Sequence, residues 1–217
     1  MKNLYIYCEG LTEEGFINNV LTPYLLNIGV YSRPIVCATK RTKTKKFRGG
    51  ISDYRKIRTE LSILCKQHKN ETITTMFDYY GFPTNAPGVG VEIRNLFDKI
   101  THIERAVEAD INAQNLIFNL TVHEFEGLLF SDTSAFSTIA NIEIVEHLQK
   151  MRAQFASPEH INDSTDSAPS KRVERLIPNY AKVRDGTIIS TKIGVDVMLK
   201  ECAHFQEWIY NIKRIAI

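Results

Sequence analysis

The chain has 217 residues, 43% of them hydrophobic and 24% charged, with a formal net charge of +2. These values exclude a disordered or fibrous chain and describe one domain, or one domain with an elaboration, able to bury roughly 70% of its unfolded surface. So small a net charge gives no argument for nucleic acid by itself, because electrostatic binding depends on a local patch.

Residues 3–8 (NLYIYC) read as a strand buried on both faces. Glu9-Gly10 turns the chain. Thr12 is the expected N-cap, and Glu13 and Glu14 fall in the first helical turn, where the helix dipole favours acids. Phe16, Val20, Tyr24 and Ile28 recur at four-residue spacing and predict a helix to about Asn27, bent at Pro23 and stopped by Gly29. Residues 30–38 (VYSRPIVCA) predict a second strand, which Pro34 confines to an edge or a bulge.

Residues 39–50 (TKRTKTKKFRGG) carry six basic residues and no amphipathic period, and predict a loop. Tyr54, Ile57, Leu61 and Leu64 then space a helix within 52–69. Residues 71–77 (ETITTMF) form a strand rich in β-branched residues, ending at Asp78 and a Pro/Gly-rich loop. A helix over 91–109 and a strand over 114–122 follow, and His123-Glu124-Phe125-Glu126 leads into an apolar helical turn. Residues 157–170 read as a polar, mobile loop, and helical spacing returns at 171–177 and 202–214.

The alternation of strand and helix up to residue 122 predicts a mostly parallel α/β sheet covered on both faces. The expected organisation is an α/β core over residues 1–131 with a helical C-terminal elaboration, 132–217, packed on it. Cys8, Cys37, Cys65 and Cys202 form no C-x-x-C pair and are expected to be buried thiols of a reducing compartment. The first apolar run is short and acids follow it at once, unlike a secretory leader. No stretch approaches the ~18 apolar residues of a membrane span. The expected location is cytoplasmic.

Three predicted strands end in acid: the first at Glu9, the third at Asp78, the fourth at Glu124 and Glu126. Ligands of open parallel sheets gather at the carboxyl ends of the strands. Two carboxylates ~5 Å apart repel by roughly 3 kcal/mol at an effective dielectric near 20. A cation, a proton or a basic side chain must offset that, and hard oxygen ligands suit Mg²⁺ or Mn²⁺. Capping a helix or facing water is the plain alternative for each acid.

The segment from His123 to Glu126 is not a zincin motif, since Gly127 stands four residues after His123. It lacks the P-C-x-x-C of zinc deaminases as well. The basic residues of 39–50, among them Lys43, Lys45, Lys46 and Arg48, are able to follow a phosphate backbone or simply to line a solvated loop. Lys171, Arg172, Lys182 and Lys192 are candidate cations for phosphoryl charge. No P-loop supports a nucleotide enzyme, and Gly88 and Gly90 form only a bare G-x-G.

Glu9–Phe16 (EGLTEEGF) resembles the EGxTE opening of Toprim domains in overcoming-lysogenisation-defect nucleases. Met76–Pro83 (MFDYYGFP), His123–Asp132 (HEFEGLLFSD) and Ala168–Arg172 (APSKR) resemble a bacterial Toprim-like family of unknown function. The Arg48–Tyr54 and Tyr180–Gly186 segments fit it as well. The resemblance implies a Toprim-like sheet with Glu9 as metal ligand or acid/base, Glu13 supporting a metal and Asp78 holding one. It implies a Mg²⁺- or Mn²⁺-dependent nuclease acting on DNA or RNA in phage defence with an ATPase encoded nearby, and leaves room for a homo-oligomer. Related nucleases place a second aspartate where this chain has Tyr80. That change leaves three options: one well-held metal, a compensating oxygen from Glu126, or a binding subunit that docks an ATPase or nucleic acid without cleavage.

Overall fold

The computed structural model describes residues 1–37, 53–161 and 167–216. The basic segment over 39–50, with Lys43, Lys45, Lys46 and Arg48, therefore lies outside the described residues, as do 162–166 of the polar stretch.

Strand β1 (Lys2–Cys8) is followed by helix α1 (Leu11–Phe16), a π-helical turn (Ile17–Leu21) and α2 (Thr22–Leu26). Then come β2 (Val30–Val36), α3 (Tyr54–Gln67), β3 (Thr72–Asp78), α4 (Leu96–Ile111) and the short strands β4 (Leu116–Ile117) and β5 (Leu120–Thr121). All described strand pairings are parallel, in the order β2-β1-β3-β4, with β5 also on β3. Helices cover both faces, as the alternating pattern requires.

Strand residues divide by parity. Leu4, Ile6, Cys8 and Met76 join one core with α1, α2 and the C-terminal helices. Tyr7, Ile73 and Phe77 join the other, with α3 and α4. The C-terminal part contains two 3₁₀ segments, Phe125–Ser131 and Thr133–Thr138, and helices α5 (Ile142–Arg152), α6 (Pro169–Leu176), α7 (Lys182–Ile193), α8 (Val195–Glu201) and α9 (Ala203–Lys213). Trp208 and Phe205 of α9 are buried against the sheet, and the Trp208 indole N–H donates to Thr74 Oγ1 at 2.9 Å. Cys8, Cys37, Cys65 and Cys202 are all buried free thiols. No described helix is long and apolar enough to cross a membrane.

Several local expectations need correction. Thr12 does not cap α1. Gly10 holds the N-cap position, and Glu13 reaches back to accept its N–H at 2.8 Å. The first helix is not continuous, because the chain widens into the π turn just before Pro23, which lacks the N–H an α-turn needs. Helix α4 begins at Leu96 rather than 91, where Asn95 Oδ1 accepts the N–H groups of Phe97 and Asp98. The strand expected over 114–122 is broken. Between β4 and β5, Thr75 Oγ1 donates to the Asn119 carbonyl at 2.7 Å and accepts the Asn119 N–H at 2.8 Å, replacing ladder bonds. The helical turn expected after Glu124 is present, as the 3₁₀ segment Phe125–Ser131. Within 157–170, Pro158–His160 forms a 3₁₀ turn and Pro169 opens α6, so its described ends are ordered elements.

Candidate metal site

In a 2-1-3-4 order the chain winds from β1 to β2 on one side and crosses back to β3 on the other, so the crevice between β1 and β3 is a topological switch point. Cys8 pairs with Met76 across that junction, which sets Glu9 and Asp78 at adjoining strand ends. Asp78 pairs with Thr121 on the next strand over. His123 then adopts a left-handed backbone, φ 61°, and its carbonyl accepts the Tyr80 N–H at 2.8 Å. Such a conformation is uncommon outside glycine, and histidine is among the residues that adopt it more often than most. It turns the chain out of β5 so that Glu124 and Glu126 follow at the same rim.

Backbone amides fix one oxygen of several of these acids. Phe125 N–H donates to Asp78 Oδ1 at 2.9 Å, Ser170 N–H to Glu124 Oε2 at 3.0 Å, and Gly10 N–H to Glu13 Oε2 at 2.8 Å. Glu126 is only 2% exposed, and its Oε1 is buried with no hydrogen-bond partner among the described residues. Lys182, in the first turn of α7, brings Nζ to 3.1 Å from that oxygen as an ion pair.

Charge at this rim is strained. Burial pushes the Asp78 carboxyl well above its usual range, and Glu13, Glu9, Glu126 and Glu124 raise it further. Burial also raises Glu13, to about 7, with Glu9 and Glu126 adding to the shift. Glu9 is raised by burial, against the pull of the Asp78 amide and Lys182. Glu126 is raised by burial, partly offset by Lys182. For Lys182 itself burial works downward, but Glu126 and Glu124 outweigh it and leave the ammonium above its ordinary value.

These five acids share one electrostatic environment, yet among the described residues no three His, Cys, Asp or Glu side chains stand in a ready metal cage. The donor set still fits a hard divalent cation. It consists of carboxylate oxygens, several pre-oriented by backbone amides, and it includes a buried oxygen without a hydrogen-bond donor.

Other expected residues lie apart or are engaged elsewhere. Tyr80 is 38% exposed. Lys171 pairs with Glu174, and Arg172 donates to the Ser167 carbonyl at 2.6 Å and stacks over Phe155. Lys192 is in the last turn of α7, at the opposite end from Lys182.

The protein-family model described as "Domain of unknown function (DUF4276)" matches residues 8–213. The chain belongs to this family. The match takes in every acid of the rim and Lys182. Among solved structures, the chain is similar to the C-terminal region of the Xanthomonas campestris pv. campestris OLD protein, at 16% identity and a TM-score of 0.47 over 99% of this chain and 94% of that one. No curated protein matches the chain.

Two contributors at the site were not singled out individually from the sequence. The Tyr180 hydroxyl is buried beside Gly186 of α7, and after burial Glu126 is the charge that raises its pKa most. Buried Asp185 accepts the Ala181 N–H at 2.7 Å and fixes the turn that presents Tyr180 and Lys182. The sequence signal for both was the family resemblance of the Tyr180–Gly186 segment, since a lone tyrosine before a helix has no periodic signature.

Proposed function

We propose that this DUF4276 chain is a Mg²⁺- or Mn²⁺-dependent nuclease that hydrolyses phosphodiesters of DNA or RNA. The observation that carries this reading is the convergence of Glu9, Asp78, Glu124 and Glu126 at the ends of adjoining parallel strands, at the switch point of the sheet. Helix α1 adds Glu13. Glu9, Glu13, Asp78, Glu124 and Glu126 are the ligand set, with Glu126 supplying the carboxylate that Tyr80 does not. A bound divalent ion would polarise the phosphate and lower the pKa of water. The backbone amides of Gly10, Phe125 and Ser170 hold Glu13, Asp78 and Glu124 in orientation. Lys182 supplies the positive charge that stabilises developing phosphoryl charge. Lys43, Lys45, Lys46, Arg48, Lys171 and Arg172 are the proposed grip on the strand backbone. The Toprim resemblance adds a setting, phage defence in the cytoplasm beside an ATPase partner.

The test is Mn²⁺-supported cleavage of plasmid, single-stranded DNA and tRNA, with and without that ATPase. Glu9→Gln, Asp78→Asn and Glu126→Gln should each abolish cleavage in a folded protein, and Tyr80→Phe should change little. Wild-type-like cutting by Glu126→Gln would place Glu126 outside the ligand set.

A second reading has its own support. No ready cage exists among the described residues, and Tyr80 lacks the charge of an aspartate. A binding subunit that docks an ATPase or nucleic acid fits those facts, and it becomes the better reading if wild type cuts nothing under any of these conditions.

A further inference from the structure

Helix α9 opens on a buried ion pair that the acidic rim does not use. His204 Nε2 lies 3.2 Å from Glu104 Oε1 of α4, and the two side chains are 7% and 13% exposed. The same Glu104 oxygen accepts the Leu120 N–H at 2.8 Å, so one carboxyl group holds both α9 and β5. Glu159, in the Pro158–His160 turn, is buried and accepts the N–H groups of His204 and Phe205, each at 3.0 Å. His204, Glu159, Leu120, Val122 and Gly127 all line one cavity of about 10 Å³, about the room a single water needs. Val122 and Gly127 bracket the segment 123–126 that delivers Glu124 and Glu126 to the rim. The N-terminus of α9 is therefore fastened at the base of that acidic segment.

Burial alone favours the neutral imidazole, because it strips the charged ring of water. Against this, Glu104 faces the ring from α4, Glu159 from the 3₁₀ turn and Glu207 from one turn further along α9, while Leu120, Val122 and Gly127 bring no charge. Glu104 is the strongest of these, and together they hold the ring above the ordinary histidine value. A histidine raised in this way stabilises the fold in full below its unfolded pKa, near 6.5. That contribution is lost as pH rises through the folded value. Solvent cannot screen so buried a pair as it screens pairs on a surface.

We infer that His204 is a pH-sensitive latch: protonated, it ties the N-terminus of α9 to Glu104 and β5; neutral, it leaves that end of α9 beside Glu104 and Glu159 without its own charge to balance them, and the helix loosens. The latch acts on the support of Glu124 and Glu126 whether or not the rim cleaves nucleic acid. Its tests need neither metal nor substrate.

His204→Gln keeps an N–H donor for Glu104 and cannot ionise. In EDTA, wild type should melt about 2–4 °C above this variant below about pH 6.5, and the gap should close as pH rises from there. A gap that stays constant or widens with pH overturns the inference. Nuclear magnetic resonance then reads the ring directly. One imidazole of wild type, lost in His204→Gln, should titrate above about pH 6.5 and should titrate lower in Glu104→Gln, which keeps an acceptor for Leu120. A ring at or below that value, or one that Glu104→Gln leaves unmoved, also overturns it. A third measurement needs wild type alone, should either variant fail to fold. Trp208 is the single tryptophan of the chain, one turn after His204, with its indole N–H on Thr74. Its quenching by acrylamide should rise with pH over the range in which the ring titrates, and His204→Gln should show the higher quenching already at acidic pH. Quenching that stays flat while the ring titrates would mean that α9 does not loosen, and the latch fails.

Discussion

The Asp78 carboxyl accepts a hydrogen bond from Phe125 and otherwise feels the charges of Glu13, Glu9, Glu126 and Glu124. A carboxyl whose folded pKa is raised binds protons in the folded state that the unfolded chain has already lost. Its stabilising contribution is complete below the unfolded value, near 4, and disappears as pH rises through the folded value. For Glu13 the folded value is about 7. Metal-free protein should therefore lose stability from these groups as pH rises from about 4 to above 7. Asp78→Asn keeps an acceptor for Phe125 and removes one charge. Its melting temperature in EDTA should exceed that of wild type by a margin that grows across this window. Divalent ions compete with the same protons, so the Mn²⁺-induced rise of wild type should grow with pH, reaching about 2.7 kcal/mol at ~100 times the dissociation constant. Calorimetry of both proteins in EDTA and Mn²⁺ checks this; a difference that shrinks with rising pH contradicts it. Glu9, Asp78 and Glu126 were legible in the sequence because each ends a strand or stands just beyond one. The amides of Phe125 and Ser170 were not, since a backbone donor bears no residue signature.

Where elements meet, sequence periodicity loses its hold. The spacing of Phe16, Val20 and Tyr24 marked a helix but carried no sign of the π turn at Ile17–Leu21. The β-formers of 114–122 marked a strand but not its interruption by the Thr75–Asn119 side-chain bonds, which depend on a partner 44 residues away. Nor did the sequence reveal why position 15 is glycine. Helix α1 lies against α7 so closely that a Cβ on Gly15 would fall 2.6 Å from Thr187 Oγ1. That hydroxyl donates to the Val183 carbonyl at 2.7 Å, so its rotamer is held in place. Alanine is favoured over glycine in a helix by about 1 kcal/mol. Overpacking costs typically about 1–3 kcal/mol and should win here. Gly15→Ala should lower stability in urea melts by up to about 2 kcal/mol, on balance of these two effects. Combined with Thr187→Ala, which removes the obstructing atom, most of that loss should return. A Gly15→Ala protein as stable as wild type, or a double variant no better than the single one, would show that the helices can separate without cost.

At the scale of the whole molecule, the division into an α/β core over 1–131 and an appended 132–217 followed the change in sequence pattern, and the mostly parallel sheet flanked by helices agrees with the expected α/β class. Patterning along a chain does not show which distant surfaces share a core. Leu4, Ile6, Cys8 and Met76 on one sheet face belong to the same apolar cluster as Val173, Ile189, Met198, Phe205, Trp208, Ile209 and Ile212. Fully burying one such large side chain stabilises by about 1.5–3 kcal/mol. Losing seven of them removes roughly 10–20 kcal/mol, comparable to or above the ~5–15 kcal/mol by which a domain is stable. The acidic rim depends on the same region, because Glu124 is anchored by the Ser170 N–H and Glu126 is paired with Lys182. We therefore expect a fragment of residues 1–131 to lose cooperative folding rather than survive as a weakened core. It should show no sharp calorimetric transition, bind a hydrophobic dye, and give no melting response to Mn²⁺. Co-expression with a fragment of residues 132–217 should restore the transition, since the missing surface is supplied in trans. A fragment 1–131 that melts cooperatively by itself, and responds to Mn²⁺ as the full chain does, would mean that the C-terminal helices only cover a core and a site already complete without them.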